Sequence, residues 1–243
     1  MLQTEDLQLV PRTAMRFGRE QLDKAAQRLE NSSPQQIIEW AFNEFPGEIT
    51  IATGFGVAGA ALIDLAAKVK PQLNVFFLDT DFLFPQTYAL RRRLEQRYGI
   101  EIRAFKSELT PEMQEQNYGA ALWSRDPDLC CQLRKLEPLK EALHGYQAWM
   151  TAIRREQTSA RAKARVVEWD ERRSLVKVNP LVRWSKGDLW HYVLENDVPY
   201  NPLHNEGYLS IGCTHCTRAV QTGEDERAGR WAGFTKTECG LHL

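Results

Sequence analysis

The 243-residue sequence contains no run of 18 apolar residues and almost no net charge, with 31 Lys and Arg against 32 Asp and Glu for a formal −1. The missing run argues against a membrane-spanning helix. The missing charge removes any general attraction to nucleic acid or acidic membranes, so an anion site must be local. The opening residues, MLQTEDLQLVPRT, carry acids where a secretory leader carries bases, and no apolar stretch follows them. A cytoplasmic location is expected. Internal repeats and low-complexity tracts are also lacking. Cysteine is scarce: five residues, an odd number, in a chain without an export signal argue against a disulfide framework and give weight to metal binding or catalysis. What is present is ordinary, 43% hydrophobic and 26% charged residues, the balance of a globular protein whose length suits one large domain.

Along the chain, residues 1–33 read as a polar, helical lead-in with a helix over 19–29, and Pro34 opens a second helix. Residues 34–243 read as a single domain. A short apolar strand over 49–53, a Gly-rich turn over 54–59 and a helix over 60–69 are followed by an apolar run at 74–80, a helix at 85–98 and a strand at 100–105. Such alternation predicts an α/β fold with a doubly wound, mostly parallel sheet. Residues 129–144 suit a helix, 148–153 a central strand, and 166–178 a hairpin at the sheet edge. Ser185 and Asp188 resemble a capping box opening a helix that runs to Asn196. Residues 200–243 are loop-rich yet hold three of the five cysteines, and loops carry a disproportionate share of function.

Gly54, Gly56 and Gly59 fit the spacing GxGxxG, with Asp79 at a strand end 20 residues beyond Gly59. That is the nicotinamide dinucleotide pattern, although the physics, backbone N–H groups approaching a phosphate at a helix N-terminus, serves any anionic nucleotide. A tight turn with close helix packing would produce the same glycines. Cys213 and Cys216 form a CxxC, and Cys130 and Cys131 an adjacent pair. Four thiolates in two pairs suit a tetrahedral zinc or a cubane iron–sulfur cluster, while neighbours on a helix point about 100° apart, which is unusual for zinc. The bland reading of the adjacent pair is a small buried hydrophobe twice over. Cys239 stands alone near the end of the sequence beside Gly240 and His242, which suits a thiolate nucleophile as well as a spectator thiol. Arg227 and Arg230 can form forked contacts to phosphate or sulfate, and Arg154, Arg155 and Arg161 follow a predicted strand at the edge where such sheets bind ligands.

Taken together, LDTxxLFPxTY from Leu78, the Cys130–Cys131 pair, IRREQTxxR from Ile153, SIGCxxCT from Ser210, ERAGRW from Glu226 and ECGLH from Glu238 resemble the assimilatory adenylyl-sulfate (APS) reductases of bacteria, the cluster-bearing branch of the phosphosulfate reductase family. The resemblance spans residues 35–243. It implies an adenine-nucleotide α-hydrolase-like, Rossmann-like fold, a [4Fe-4S] cluster on Cys130, Cys131, Cys213 and Cys216, and Cys239 as the nucleophile that takes sulfur from the substrate. It places Thr53, Gly54, Phe55 and Gly56 at the nucleotide, with Leu78 and Thr80 beside them. By the same resemblance Lys135 lies between cluster and substrate, and Arg227, Arg230 and His242 hold the phosphosulfate with Arg154, Arg155 and Arg161 near. Where the family reads SFGAE, this chain has Gly54 for the serine and Ala58 for the acid, which leaves Thr53 as the nearest hydroxyl. With four cysteines assigned to a cluster, an external dithiol such as thioredoxin is implied as reductant. Other readings are a reductase of the 3′-phosphorylated nucleotide (PAPS), a nicotinamide-dependent dehydrogenase and a zinc-stabilised nucleotide-binding module. A tRNA sulfur transferase is disfavoured by the neutral charge and the missing SGGxDS loop. Association into a homo-oligomer is left open.

Overall fold

The computed structural model describes residues 18–236 and 238–241. Among them six strands form one sheet: β1 (Ile49–Ala52), β2 (Val75–Asp79), β3 (Ile102–Lys106), β4 (Ala148–Met150), β5 (Val167–Asp170) and β6 (Leu175–Val178). Their order is β3-β2-β1-β4-β6-β5. All neighbours run parallel except the β5–β6 hairpin at one edge. Helices α1 (Arg19–Leu29) and α2 (Pro34–Glu44) precede β1, while α3 (Val57–Val69) and α4 (Pro85–Tyr98) are the crossovers to β2 and β3. Four short helices, α5 (Pro111–Tyr118), α6 (Leu122–Arg125), α7 (Pro127–Cys131) and α8 (Glu137–Ala142), lead to β4, and α9 (Lys186–Glu195) follows β6.

The central strands are apolar on both sides because a parallel sheet is covered on both faces; Ile49, Thr50, Ile51, Val75, Phe76 and Phe77 are all buried. Helix α3 is buried along ten consecutive residues from Val57 to Ala66, packed against α2 and α9, and is accordingly apolar on all sides except at Asp64, whose carboxylate accepts from the Tyr98 hydroxyl at 2.9 Å and pairs with Lys68 at 2.7 Å. Each fully buried Leu or Ile of this helix contributes on the order of 1.5–3 kcal/mol. The expected capping box is present: the Ser185 hydroxyl accepts from the Asp188 N–H at 3.0 Å, and the Asp188 carboxylate accepts from the Ser185 N–H at 2.8 Å. Helix α1 packs over the edge strand β5, where a covering element protects an otherwise open ladder.

Three differences from the sequence reading bear on the site. Helix α3 begins at Val57, inside the segment expected to be a turn. Strand β4 stops at Met150; Thr151 still donates its N–H to the Val178 carbonyl at 2.9 Å, and residues 152–153 carry no regular structure. The helix expected over 129–144 is split by a π-helical turn at Gln132–Leu136. The chain steps from β1 to β2 to β3 in one direction and then crosses to β4 on the other side of β1. The connections leaving the carboxyl ends of the paired strands β1 and β4 therefore run in opposite directions along the sheet, and the crevice so formed is where open α/β sheets bind ligands.

Candidate active site

A cavity of about 280 Å³ opens at that crevice. Thr53, Gly54 and Gly56 after β1 line it, with Leu78 and Thr80 from β2 and Thr151 and Arg154 after β4. Arg227, Arg230 and Cys239 close it from the C-terminal segment. Among the described residues six lysine or arginine side chains and one carboxylate, Glu226, line this space; Arg161 and Arg227 pair with Glu238, Arg154 with Glu156 and Lys186 with Glu226, and the excess of cations over carboxylates suits an anion.

The glycine turn divides into two functions. A Cβ on Gly59 would lie 2.7 Å from Thr53 Oγ1, so this glycine allows α3 to approach the end of β1. A Cβ on Gly54 or Gly56 would meet no protein atom within 4 Å, and their bare backbone faces the cavity at the N-terminus of α3, where an anion is favoured. The Thr53 hydroxyl is held as acceptor by the Phe55 N–H at 3.1 Å. Asp79, the acid of the dinucleotide pattern, does not reach the cavity. It accepts from the Tyr88 hydroxyl at 2.6 Å and pairs with Lys106 at 3.2 Å, which removes the feature that favoured a nicotinamide cofactor.

Arg230 is placed by backbone pairing. Thr217 and Arg230 form an antiparallel bridge, the Arg218 N–H donates to the Gly229 carbonyl at 2.9 Å, and a Cβ on Gly229 would collide with the Arg218 carbonyl. Its guanidinium lies 4.5 Å from the Trp231 ring centre, passes where a side chain on Gly212 would stand, and leaves Nε buried without a hydrogen-bond partner. Arg154 is 3% exposed with an equally unpartnered Nε. Burial pulls the Arg227 pKa down to about 10, against the pull of Glu238 and together with the charges of Arg230 and Arg161. Buried guanidinium nitrogens without a partner, such as Nε of Arg230 and of Arg154, are costly in isolation and are satisfied by an anionic ligand.

Beside the cavity, separated from it by Lys135 and Thr80, lies a smaller pocket of about 10 Å³ lined by Cys130, Cys131, Cys213 and Cys216. Asp126 caps α7 by accepting from the Leu129 N–H at 2.9 Å, and Pro127 occupies the first helical position. In the π turn that follows, hydrogen bonds run five residues back, so Cys130, Cys131 and Lys135 reach the same pocket. The CxxC loop is tied to the segment after β2 by a bridge from Cys213 to Leu83 and by Thr214 N–H donating to Phe82 O at 2.7 Å. Thr80 Oγ1 sits 3.2 Å from Cys213 Sγ. Burial, then the neighbouring thiols, push Cys130 up to about 12 and Cys216 up to about 11, and burial raises Cys131. Burial works to lower Lys135, yet Cys213, Cys131 and Cys239 overcome it and hold the ammonium charged.

The surroundings of the four thiols suit a metal group. Arg134 is 1% exposed, donates to Gln114 at 2.7 Å and Asp81 at 2.9 Å, and presents an Nη2 with no partner at the wall of the thiol pocket. Two buried cations facing four thiols fit a thiolate-bound group. Among the described residues, no three His, Cys, Asp or Glu side chains converge as one ion requires. A mononuclear zinc needs all its sulfurs about 2.3 Å from one centre, and a cubane takes each thiolate on a separate iron.

Residues 48–219 match the phosphoadenosine phosphosulfate reductase domain. The chain belongs to this reductase family. An adenosine 5′-phosphosulfate reductase of Halalkalibacterium halodurans is 46% identical over 91% of this chain and 96% of its own. A phosphoadenosine 5′-phosphosulfate reductase of Gloeobacter violaceus is 42% identical over 94% and 96%. The crystal structure of the Candida auris phosphoadenylyl-sulfate reductase in complex with phosphate superimposes with a TM-score of 0.72 at 34% identity, over 84% of this chain and 98% of that one.

Within this reductase fold the expected site residues do not all converge. Thr53, Gly54, Gly56, Leu78, Thr80, Lys135, Arg154, Arg161, Arg227, Arg230 and Cys239 line the cavity. Phe55 does not: it is 1% exposed and packs edge-on against Phe77 at 5.1 Å. Arg155 does not either. It reaches back to Glu30 at 2.6 and 3.0 Å and to the Ala164 carbonyl. His242 lies outside the described residues. Glu238, Arg134 and His204 carry no sequence signal of their own, since a lone acid, arginine or histidine has no spacing pattern.

His204 lines the cavity with Nε2 buried and unpartnered, and burial pulls its pKa down to about 4. The unfolded chain, with an ordinary His near 6.5, binds the proton first as pH falls. Stability is therefore lost between about pH 6.5 and 4, by on the order of 2 kcal/mol at pH 5. Denaturant midpoints at pH 7.5 and 5 should differ by correspondingly less in His204→Gln. An equal drop in both proteins would clear His204 of this effect.

Proposed function

We propose that the protein reduces adenosine 5′-phosphosulfate to sulfite and AMP in sulfate assimilation, drawing two electrons from an external dithiol protein of the thioredoxin type, in the cytoplasm. The observation that carries this reading is the position of Cys239, a lone thiol on the wall of a cation-lined cavity opposite a bare glycine turn. The names of the bacterial relatives support the substrate, and no helix among the described residues is long and apolar enough to cross a membrane.

In this mechanism the Cys239 thiolate forms an S–S bond to the sulfate sulfur while the S–O bond to the nucleotide breaks and its electron pair leaves with AMP. Lys135, Arg227 and Arg230 neutralise the anionic oxygens around the reacting sulfur, where preorganised charge lowers the barrier most. A thiolate of the dithiol then attacks Cys239 Sγ, and sulfite departs with the electron pair of the S–S bond. The second thiol of the dithiol resolves the mixed disulfide and returns Cys239 as thiolate. Sulfur gains two electrons and the dithiol loses two. Cys130, Cys131, Cys213 and Cys216 are proposed to hold a [4Fe-4S] cluster, which when bound supplies a fixed negative charge and ties the CxxC loop to α7.

The Gloeobacter relative and the Candida structure carry names for the 3′-phosphorylated substrate, which makes that nucleotide the second reading. Purified under argon and supplied with reduced thioredoxin, the protein should release sulfite from APS with a kcat/KM at least about tenfold above that for PAPS, a margin of ~1.4 kcal/mol. A reversed preference would transfer the assignment to PAPS, and no sulfite from either nucleotide would end it.

A further inference from the structure

Glu238 immediately precedes Cys239 and is 6% exposed, although a carboxylate is rarely so buried unless paired. Its oxygens are fully engaged. Arg161 donates Nε to Oε1 and Nη2 to Oε2, both at 2.7 Å, in the forked geometry that makes such pairs strong. Thr158 Oγ1 donates to Oε1 at 3.1 Å and Arg227 Nη2 to Oε2 at 3.3 Å. The third nitrogen of Arg161, Nη1, donates to Gln157 at 2.6 Å. Every nitrogen of the Arg161 guanidinium is thus committed to protein acceptors, whereas Arg230 keeps an unpartnered Nε. Arg161 stands at the cavity but is organised around the tail.

The rest of the segment is held more lightly. Lys236 pairs with Asp128, an acid 80% exposed, the Gly240 carbonyl accepts from Arg173 at 3.2 Å, and Leu241 packs partly buried against the cluster around Leu139 and Trp149. An ion pair with one partner in solvent is screened and contributes little. The buried fork is the strong attachment, and it lies one residue from the thiol.

Resting on the proposed nucleophilic role of Cys239, we infer that Glu238 is a positioning residue: with Arg161 it forms a latch that holds Cys239 in the cavity for attack and must open before a bulky dithiol protein can reach the same sulfur. The two demands on Cys239 conflict, sheltered for the first step and exposed for the second. A latch therefore speeds one step at the expense of the other, and its removal separates them.

The test uses the iron-loaded protein and two near-isosteric variants, Glu238→Gln and Arg161→Met, with Asp128→Asn as a comparison that loosens the tail at its exposed end. Carbamidomethylation of Cys239 by iodoacetamide, mapped by mass spectrometry, should be at least about tenfold faster in Glu238→Gln and in Arg161→Met. The double variant should match the singles within twofold because both remove one latch. Single-turnover S-sulfonation by APS should slow, while cleavage of the preformed S-sulfonate by reduced thioredoxin should speed up, a split that misfolding would not produce. Alkylation rates within twofold of wild type, or an equal acceleration in Asp128→Asn, would overturn the latch. If wild-type protein forms no S-sulfonate, the nucleophile assignment fails, and the alkylation rates still decide whether Glu238 holds the tail.

Discussion

Cys239→Ser should keep the fold, the iron and the bound nucleotide, yet form sulfite at least on the order of 10³-fold more slowly than wild type. The hydroxyl fills the same space, so the cation-lined cavity and its anion affinity survive. It is not a competent nucleophile toward sulfur at neutral pH, because only a small fraction of a serine ever ionises. The companion result is covalent. Wild-type protein given APS without reductant should gain the mass of one SO₃ group on the C-terminal peptide, and reduced thioredoxin should remove it. Turnover by Cys239→Ser, or the added mass on Cys130 or Cys213, would refute the role given to Cys239.

Cys131→Ser and Cys216→Ser should fail in the opposite way, losing the brown chromophore, the iron and the labile sulfide together, and unfolding at markedly lower temperature. The expected loss of stability is on the order of 5 kcal/mol or more, since a group bound only by the folded chain returns its binding energy as folding energy. The four thiols bring α7 and the CxxC loop to one pocket, and Arg230 is bridged to that loop through Thr217. Anion affinity should therefore fall with the metal in these variants, whereas Cys239→Ser keeps both. Stoichiometric zinc without iron in fresh wild-type protein would replace the cluster with a zinc site.

Much of this was legible in sequence because it rests on periodicity and spacing. Alternating apolar runs and helices gave the parallel sheet, and the pairing of CC with CxxC gave the thiol pocket. The failures have physical causes. Gly59 discourages a helix on propensity, yet α3 runs through it because the close approach of Thr53 tolerates nothing larger. Arg154 and Arg155 are chemically equivalent on paper. Arg154 has extended backbone, with φ −127° and ψ 143°, so neighbouring side chains diverge, one into the cavity and the other to Glu30. Phe55 belongs to the glycine motif by position but turns into the core at a φ of 58°. The buried pair of Glu238 and Arg161 joins residues 77 apart, a separation that leaves no local pattern. Helix α5 lies in a stretch with no apolar period, so periodicity gives no sign of it.

The wide turn at Gln132–Leu136 bears on how this protein can change. It acts as one surplus residue absorbed inside a helix whose two ends are already spoken for, Cys130 and Cys131 on one side and Leu139 on the other. Shortening the segment by one residue would restore a regular helix and improve its local hydrogen bonding, and would also swing either the cysteine pair or Leu139 away from its neighbours by about 100°. Point substitutions are thus the tolerated currency of variation here. Deletions that look harmless on a helical wheel would break the alignment of Lys135 with the thiols, so the spacing between the paired cysteines and that lysine should be more rigid than the identity of the residues between them.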